Sequence, residues 1–112
     1  MSIAEIQNEV VADLTVELSG EAGFNPAILT VKVKNAIREV MTKRNYGATS
    51  FNERQIANDL NRFYAVIVNV ARYDYNQIGS EGETAHSENG TSRTYEKRNR
   101  LFADVFPFVG CL

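Results

Sequence analysis

Hydrophobic side chains recur at three- and four-residue steps through most of the first 76 positions, the period of amphipathic α-helices. The first run follows Ser2, which stands three residues before Glu5 in the spacing of a capping box. The second run follows Asn25 and Pro26, a capping residue and a proline that loses no hydrogen bond in a first turn. The pattern predicts two helices that end near positions 19 and 45. Their apolar positions are Ile3, Ile6, Val10, Leu14 and Leu18, then Leu29, Val33, Ile37 and Met41.

A third, uninterrupted helix is predicted from the capping-box spacing of Ser50 and Glu53 to about Asn76. Its apolar positions are Ile56, Leu60, Phe63, Ile67 and Val70. We therefore predict an all-α fold, with a three-helix domain over residues 1–78. Residues 79–95 are polar and rich in glycine, so they predict a long interaction loop. Residues 96–112 include Pro107, which favours an extended tail with at most a short helix or strand.

The third helix carries a second apolar stripe, rotated by roughly 100° from the first. Two interpretations are open. A central helix flanked by both neighbours would bury both stripes inside one chain, whereas a surface helix would offer the second stripe to a neighbouring subunit. The stripe consists of Tyr64, Val68, Ala71 and Tyr75.

Charge is divided between the first two helices. Residues 1–25 contain five acidic and no basic residues, and residues 26–50 contain five basic residues and one acidic residue. Four carboxylates at four-residue steps line one face of the first helix, where like charges repel. This acidic ladder is a solvated face, a surface that pairs with the basic second helix of an adjacent copy, or the wall of a tunnel along which DNA slides. Its members are Glu5, Glu9, Asp13 and Glu17.

The C-terminal tail is too apolar to remain in water, and it has two interpretations. It can fold back over the helices as a lid, as terminal segments of small domains often do. It can also act as an arm that docks on a partner by strand addition or by burying its phenylalanines. The residues in question are Phe102, Val105, Phe106, Pro107 and Phe108.

Catalytic and metal-binding patterns are weak. The chain has a single histidine, His86, with Ser87 and scattered glutamates beside it in the glycine-rich segment, which is a poor setting for a triad or a zinc site. We expect no enzyme activity, no cofactor and no metal. No apolar run approaches the roughly 20 residues of a membrane span, so we expect no membrane partner.

Sequence-specific DNA binding by a small helix-turn-helix-like regulator is the alternative function. The segment 52–60 is superficially similar to the first half of a helix-turn-helix, but the apolar period then continues without the expected turn. The net charge of −2 also gives little attraction to phosphates.

Four runs resemble a known family. They are Arg-Tyr-Asp-Tyr-Asn at 72–76, Gly-Ser-Glu-Gly-Glu at 79–83, His-Ser-Glu-Asn-Gly at 86–90 and Ser-Arg-Thr-Tyr at 92–95. Together they resemble the signature of the small head-tail connector, or adaptor, proteins of tailed phages. The Phe-Pro-Phe ending at 106–108 departs from the family pattern.

The resemblance implies a structural virion protein. Copies of the chain, on the order of a dozen, would form a closed ring under the portal protein, with DNA passing through the lumen without sequence-specific contact. The ring would complete the head after DNA packaging and would receive a tail-side stopper or tail-completion protein. Assembly would take place in the host cytoplasm, and the mature location would be the head-tail interface of the virion.

The resemblance also implies which residues of the loop contact the portal or a neighbouring subunit. We expect them to become ordered on that contact. They are Glu81, Glu83, His86, Ser87, Glu88, Asn89, Gly90, Arg93 and Tyr95.

Overall fold

The computed structural model describes residues 2–77 and 98–109. Over these residues the chain forms helices, turns and irregular segments without a β-strand, which confirms the all-α prediction. Residues 98–100 form a helical turn, and 101–109 continue as turns and irregular chain. The other elements are α1 (Ile3–Leu18), α2 (Pro26–Arg44), a 3₁₀ turn (Tyr46–Ala48), α3 (Glu53–Asn61) and α4 (Tyr64–Asn76).

The first two helices begin at the caps that the sequence predicts. Ser2 Oγ accepts a hydrogen bond from the Glu5 N–H at 3.1 Å. Asn25 Oδ1 accepts bonds from the N–H groups two and three residues further on, at 3.0 and 3.2 Å. The residue after α2, Asn45, has a left-handed backbone with φ of 57°, which asparagine tolerates better than most residues. α2 therefore ends where the chain turns sharply toward α3.

The capping box of α3 forms two residues later than expected. Asn52 N–H donates to Gln55 Oε1, and Gln55 N–H donates to Asn52 Oδ1, both at 2.9 Å. Ser50 and Glu53 have the same spacing, but Ser50 lies in the connection that leads out of the 3₁₀ turn. The helix consequently starts at Glu53.

The expected third helix is two helices. The prediction of an uninterrupted helix to residue 76 is wrong, because Arg62 and Phe63 separate α3 from α4. Their N–H groups donate to carbonyls three residues back, at 3.1 and 2.9 Å, which tightens the end of α3 into 3₁₀ geometry. Neither glycine nor proline marks the break. The apolar period runs through it because α3 and α4 bury their apolar side chains in the same core.

The core takes one face from each helix. α4 packs against both α1 and α2, and α3 also contacts these two helices. Met41, predicted as a core residue, is partly buried against the cluster. The C-terminal segment contributes two side chains, so it is part of the folded domain. The buried apolar side chains are Ile6, Val10, Leu14, Leu18, Leu29, Val33, Ala36, Ile37, Val40, Ala57, Leu60, Ile67, Val70, Ala71, Phe102 and Val105.

The second stripe of α4 is used inside the chain. Ala71 is fully buried, and Val68 is packed against the core. Tyr64 donates a hydrogen bond to Asp13 on α1. The Tyr75 hydroxyl accepts a bond at 2.9 Å from the backbone N–H that precedes α2. α4 is thus a central helix, the first of the two interpretations, and its stripe is not an exposed surface for a neighbouring subunit.

Candidate interaction surfaces

The C-terminal segment folds back on the helices, and Arg98 fixes its start. Arg98 Nε and Nη2 donate to the two carboxylate oxygens of Asp74 on α4 at 2.7 and 2.8 Å, and Nη1 donates to Glu39 on α2 at 2.8 Å. The bonds to Asp74 and then to Glu39 raise the pKa of Arg98 above its ordinary value, so the guanidinium stays charged. Since Asp74 stands close to residue 77, this ion pair brings together the points where the described chain stops and resumes.

Two apolar side chains of the segment enter the core. Phe102 is 5% exposed and Val105 is 7% exposed. Two cations lie over the Phe102 ring, with Lys43 Nζ at 4.8 Å and the Arg98 guanidinium carbon at 5.6 Å from its centroid. Such placement adds an electrostatic attraction to the apolar burial.

A polar cluster, which we name the C-terminal latch, holds the end of the segment. It consists of Arg44, Tyr46, Asp59, Phe106 and Phe108. Arg44 Nε and Nη2 donate to the two oxygens of Asp59 at 2.8 and 2.9 Å, in the bidentate geometry that suits arginine. Arg44 Nη1 donates to the Phe106 carbonyl at 2.7 Å, and the Tyr46 hydroxyl donates to Asp59 at 2.6 Å. One arginine therefore joins α2, α3 and the tail.

The electrostatics of the latch follow from this arrangement. Burial alone would raise the pKa of Asp59, but the bonds from Arg44 and Tyr46 outweigh it and lower that pKa below its ordinary value. The bond to Asp59 raises the pKa of Arg44 despite burial. Burial, and then the Asp59 carboxylate, raise the pKa of Tyr46. At neutral pH the latch is therefore an ion pair with a neutral phenol bonded to it.

Phe108 is held by its backbone and by its ring. Its N–H donates to the Arg44 carbonyl at 2.8 Å, and its carbonyl accepts a bond from Asn45 Nδ2 at 3.2 Å. The ring lies 4.0 Å from the Arg44 guanidinium carbon and contacts the Phe51 ring edge-on, with centroids 5.3 Å apart. The tail thus satisfies one of the backbone carbonyls that the end of α2 leaves open.

The fold-back corrects part of the docking-arm prediction. Phe102 and Val105 are core residues, and Phe108 is half-buried in the latch, so in this structure they face their own chain. Phe106 remains 66% exposed, and Pro107 is exposed beside it. Val109 is 80% exposed at the edge of an open cleft of about 520 Å³ that is lined by residues 47–51, Phe108 and Val109 itself. Of the five predicted docking-arm residues, Phe106 and Pro107 are the exposed ones.

The acidic ladder of α1 is divided. Asp13 accepts the hydrogen bond from Tyr64, and Glu17 accepts a bond from Arg72 Nε on α4 at 2.8 Å. Glu5 and Glu9 are exposed, and neither side chain has a hydrogen bond or ion pair within residues 2–77 and 98–109. Half of the ladder stabilises the chain itself, and the other half is available for an external contact.

Replacing Tyr64 with phenylalanine is expected to lower the free energy of unfolding by about 0.5–1.5 kcal/mol, the usual value of one hydrogen bond. The bond to Asp13 is lost while the ring is kept. Burial and the Asp13 carboxylate raise the pKa of Tyr64, as expected for a phenol that donates to a carboxylate. Urea unfolding followed by circular dichroism measures the change. Equal stability of the two proteins would show that water replaces this bond without cost.

The exposed face of α2 is basic. Lys34 and Arg38 are exposed, Lys32 is half-buried, and Lys43 lies over the Phe102 ring. Val31 is 53% exposed on the same helix, and Val16 is 84% exposed on α1. The two long helices therefore present surfaces of opposite charge, each with one exposed valine.

The predicted interaction loop lies outside the described residues, and so do all nine of its candidate residues, from Glu81 to Tyr95. Among residues 2–77 and 98–109, no group of three or more His, Cys, Asp or Glu side chains is placed to hold a metal ion. None of the helices in this part of the chain is both long enough and apolar enough to cross a bilayer.

The helix-turn-helix alternative meets a different objection from the one the sequence raised. A break does follow α3, where such a motif requires its turn. α4, however, is packed on two sides, and its exposed positions are Ala65, Asn69 and Asn76. Its arginine, Arg72, is paired with Glu17. A recognition helix needs an exposed polar face that can enter the major groove, and α4 has little of one.

Sequence reasoning missed Arg44, Asp59 and Arg98, although one signal was present. Asp59 stands three residues after Ile56 and directly before Leu60, at a core position of an apolar stripe. A carboxylate at such a position requires a buried partner, and a basic residue is the natural one.

Comparison with protein-family models, curated proteins and solved structures finds no match to this chain.

Proposed function

We propose that this chain is a structural subunit that assembles into a ring at the head-tail connector of a tailed phage. The observation that carries the proposal is the presence, on one small helical domain, of an exposed acidic face on α1 and an exposed basic face on α2. Two different, complementary faces on one subunit allow head-to-tail contacts, and such contacts close into a ring when the rotation is right. The family resemblance of residues 72–95 supports the same assembly.

The function would then consist of assembly and not of chemistry. Each subunit would give its acidic face to one neighbour and its basic face to the other. The portal would act as the template that sets the number of copies. The loop residues from Glu81 to Tyr95 would contact the portal or a neighbour, and the exposed Phe106 and Val109 would offer apolar area to the portal or to the tail-side protein.

The test is the mass of the purified protein, measured by light scattering, alone and after mixing with the portal ring encoded near its gene. We expect the portal peak to gain a whole number of 12.5 kDa units. No gain at any ratio would overturn the proposal. A shift of duplex DNA at physiological salt by a protein that ignores the portal would favour the DNA-binding regulator.

The loop can be tested in the same experiment. Arg93→Ala and Tyr95→Ala are expected to weaken portal binding by about tenfold or more each, since arginine and tyrosine are frequent hot-spot residues. Arg54→Ala is the matched control, because Arg54 is an exposed arginine of α3 and is not one of the loop residues. Circular dichroism should be the same for all three. Equal portal binding by all three variants would remove the loop from the interface.

A further inference from the structure

The outer faces of α1 and α2 have the same spacing of exposed residues. On α1 the exposed positions Glu5, Glu9, Ala12 and Val16 follow one another at steps of four, three and four residues. On α2 the exposed positions Ala27, Val31, Lys34 and Arg38 follow at the same steps. We name these two rows the α1 seam and the α2 seam. With 3.6 residues per turn each row lies within an arc of about 60°, as the contact positions of a coiled coil do.

The order of chemical types along the two seams runs in opposite directions. The α1 seam reads acid, acid, alanine, valine, and the α2 seam reads alanine, valine, lysine, arginine. An antiparallel contact would place each acidic residue opposite a basic one, and each alanine opposite a valine, along the whole length. A parallel contact would place the two carboxylates against Ala27 and Val31 and leave the cations unpaired. Charge complementarity therefore selects the antiparallel orientation.

We infer that α1 of one copy of this chain docks antiparallel on α2 of the next copy, with one register. In that register Glu5 faces Arg38, Glu9 faces Lys34, Ala12 faces Val31 and Val16 faces Ala27. Asn8 and Asn35, both exposed, face each other beside the charged pairs. The inference rests on the part of the proposed function in which copies of the chain assemble, and it names the surface that they use.

Within residues 2–77 and 98–109 the two seams are exposed, because each helix uses another face for its own core. α1 buries Ile6, Val10, Leu14 and Leu18, and α2 buries Leu29, Val33, Ala36, Ile37 and Val40. Val16 and Val31 are the large exposed hydrophobic residues of the two helices. In the proposed register each meets an alanine of the neighbouring copy. Small side chains at these positions allow the helix axes to approach closely.

The contact is short, and this sets its expected strength. The seams span about 17 Å of helix, and exposed ion pairs contribute modestly. We expect weak association of the free protein, which decreases as salt rises because the charged pairs are accessible to solvent. A portal template would then concentrate the subunits.

The test uses two charge-reversed variants. Variant A carries Glu5→Lys and Glu9→Lys, and variant B carries Lys34→Glu and Arg38→Glu. Each alone places like charges opposite each other and is expected to lose self-association by about tenfold or more in the association constant. Mixing A with B restores opposite charges at the contact, so we expect association in the mixture to return to at least the wild-type level. Sedimentation velocity over a concentration series measures all of these.

The matched control makes the same changes of net charge at exposed positions outside the seams. One control chain carries Glu21→Lys and Asp104→Lys, and the other carries Arg54→Glu and Arg100→Glu. Each control chain should self-associate as strongly as the wild type does. A mixture of the two should associate no more strongly than the wild type. Equal behaviour of the controls and of variants A and B would overturn the register. Wild-type protein and an A–B mixture that both stay monomeric up to about 1 mM would overturn it as well.

Cross-linking reads the orientation directly. With Cys111→Ser as background, a Val16→Cys chain mixed with an Ala27→Cys chain should form an intermolecular disulfide under mild oxidation, because the two positions face each other. A Val16→Cys chain mixed with an Arg38→Cys chain should not, since position 38 lies three turns away, beyond the reach of a disulfide. Equal yields in the two mixtures would contradict the antiparallel register. Portal binding with no seam contact would leave the connector function standing and remove this inference alone.

Discussion

Replacing Arg44 with alanine is expected to lower the free energy of unfolding by about 3–5 kcal/mol, because the buried Asp59 carboxylate loses its bidentate ion-pair partner. It keeps the bond from the Tyr46 hydroxyl and a longer ion pair, at 3.7 Å, with the exposed Arg62. The Arg44 and Asp59 side chains are only 11% and 7% exposed, so solvent cannot replace the lost bonds easily. The tail also loses its bond to the Phe106 carbonyl. Urea unfolding at pH 7 measures the effect.

Two further variants sharpen this prediction. Arg44→Lys keeps the charge but loses the bidentate geometry, so we expect an intermediate loss. Arg54→Ala removes an exposed arginine of α3 and should change the stability by less than about 0.5 kcal/mol. A stability of Arg44→Ala close to that of Arg54→Ala would contradict the buried ion pair.

The latch also predicts a dependence on pH. The pKa of Asp59 is lower in the folded protein than its ordinary value, so its ionised form stabilises the fold above that ordinary value, about 3.9. This stabilisation is lost as the pH falls from the ordinary value through the lower, folded-state pKa, because in that range the unfolded chain binds more protons at this carboxyl than the folded one. Asp59→Asn should therefore be less stable than wild type at pH 7, and the difference in stability between the two proteins should be smaller at pH 3. The same difference in stability between Asp59→Asn and wild type at both pH values would contradict this role of Asp59.

Phe102→Ala is expected to lower the free energy of unfolding by about 3–5 kcal/mol, the usual range for a buried phenylalanine. Phe102 is 5% exposed in the core and has cations over its ring. Phe106→Ala is the control of the same chemistry in the same segment, and Phe106 is 66% exposed, so the cost should be within about 0.5 kcal/mol.

This pair of variants separates the lid from the free arm. If the segment folds back, Phe102→Ala and Phe106→Ala differ strongly in the urea midpoint. If the segment leaves the domain in solution, both changes should be nearly neutral. We expect the opposite order for portal binding. Phe106→Ala should weaken it more than Phe102→Ala does, because the Phe106 side chain is exposed to a partner.

The helices could be predicted from the sequence because their signals are local. The caps at Ser2 and Asn25 act within three residues, and the apolar period is visible without knowledge of the fold. The break after α3 could not be predicted from the sequence because Arg62 and Phe63 are ordinary helix residues. The 3₁₀ turn there depends on packing against α1 and α2, which local propensity does not contain.

The latch could not be predicted for a related reason. Arg44 and Asp59 are 15 residues apart, and Arg44 and Phe106 are 62 apart. A basic residue in the last turn of a helix is usually explained by the helix dipole alone. Only the fold brings it against a carboxylate of α3 and a carbonyl of the tail. The surface charge of α1 and α2, by contrast, was readable from the sequence, while the intramolecular use of Asp13 and Glu17 was not.

The Arg98 ion pair helps to hold residues 98–109 on the helices even when the chain is cleaved between residues 78 and 97. Residues 98–109 are attached to the helices by the bonds to Asp74 and Glu39, by two buried side chains and by the latch. These contacts do not need a covalent connection through residues 78–97. If a protease site is engineered into that segment and cleaved, the two fragments should stay together as a noncovalent complex. The domain would thus tolerate a split at this point, and the two halves could be supplied as separate, complementing pieces.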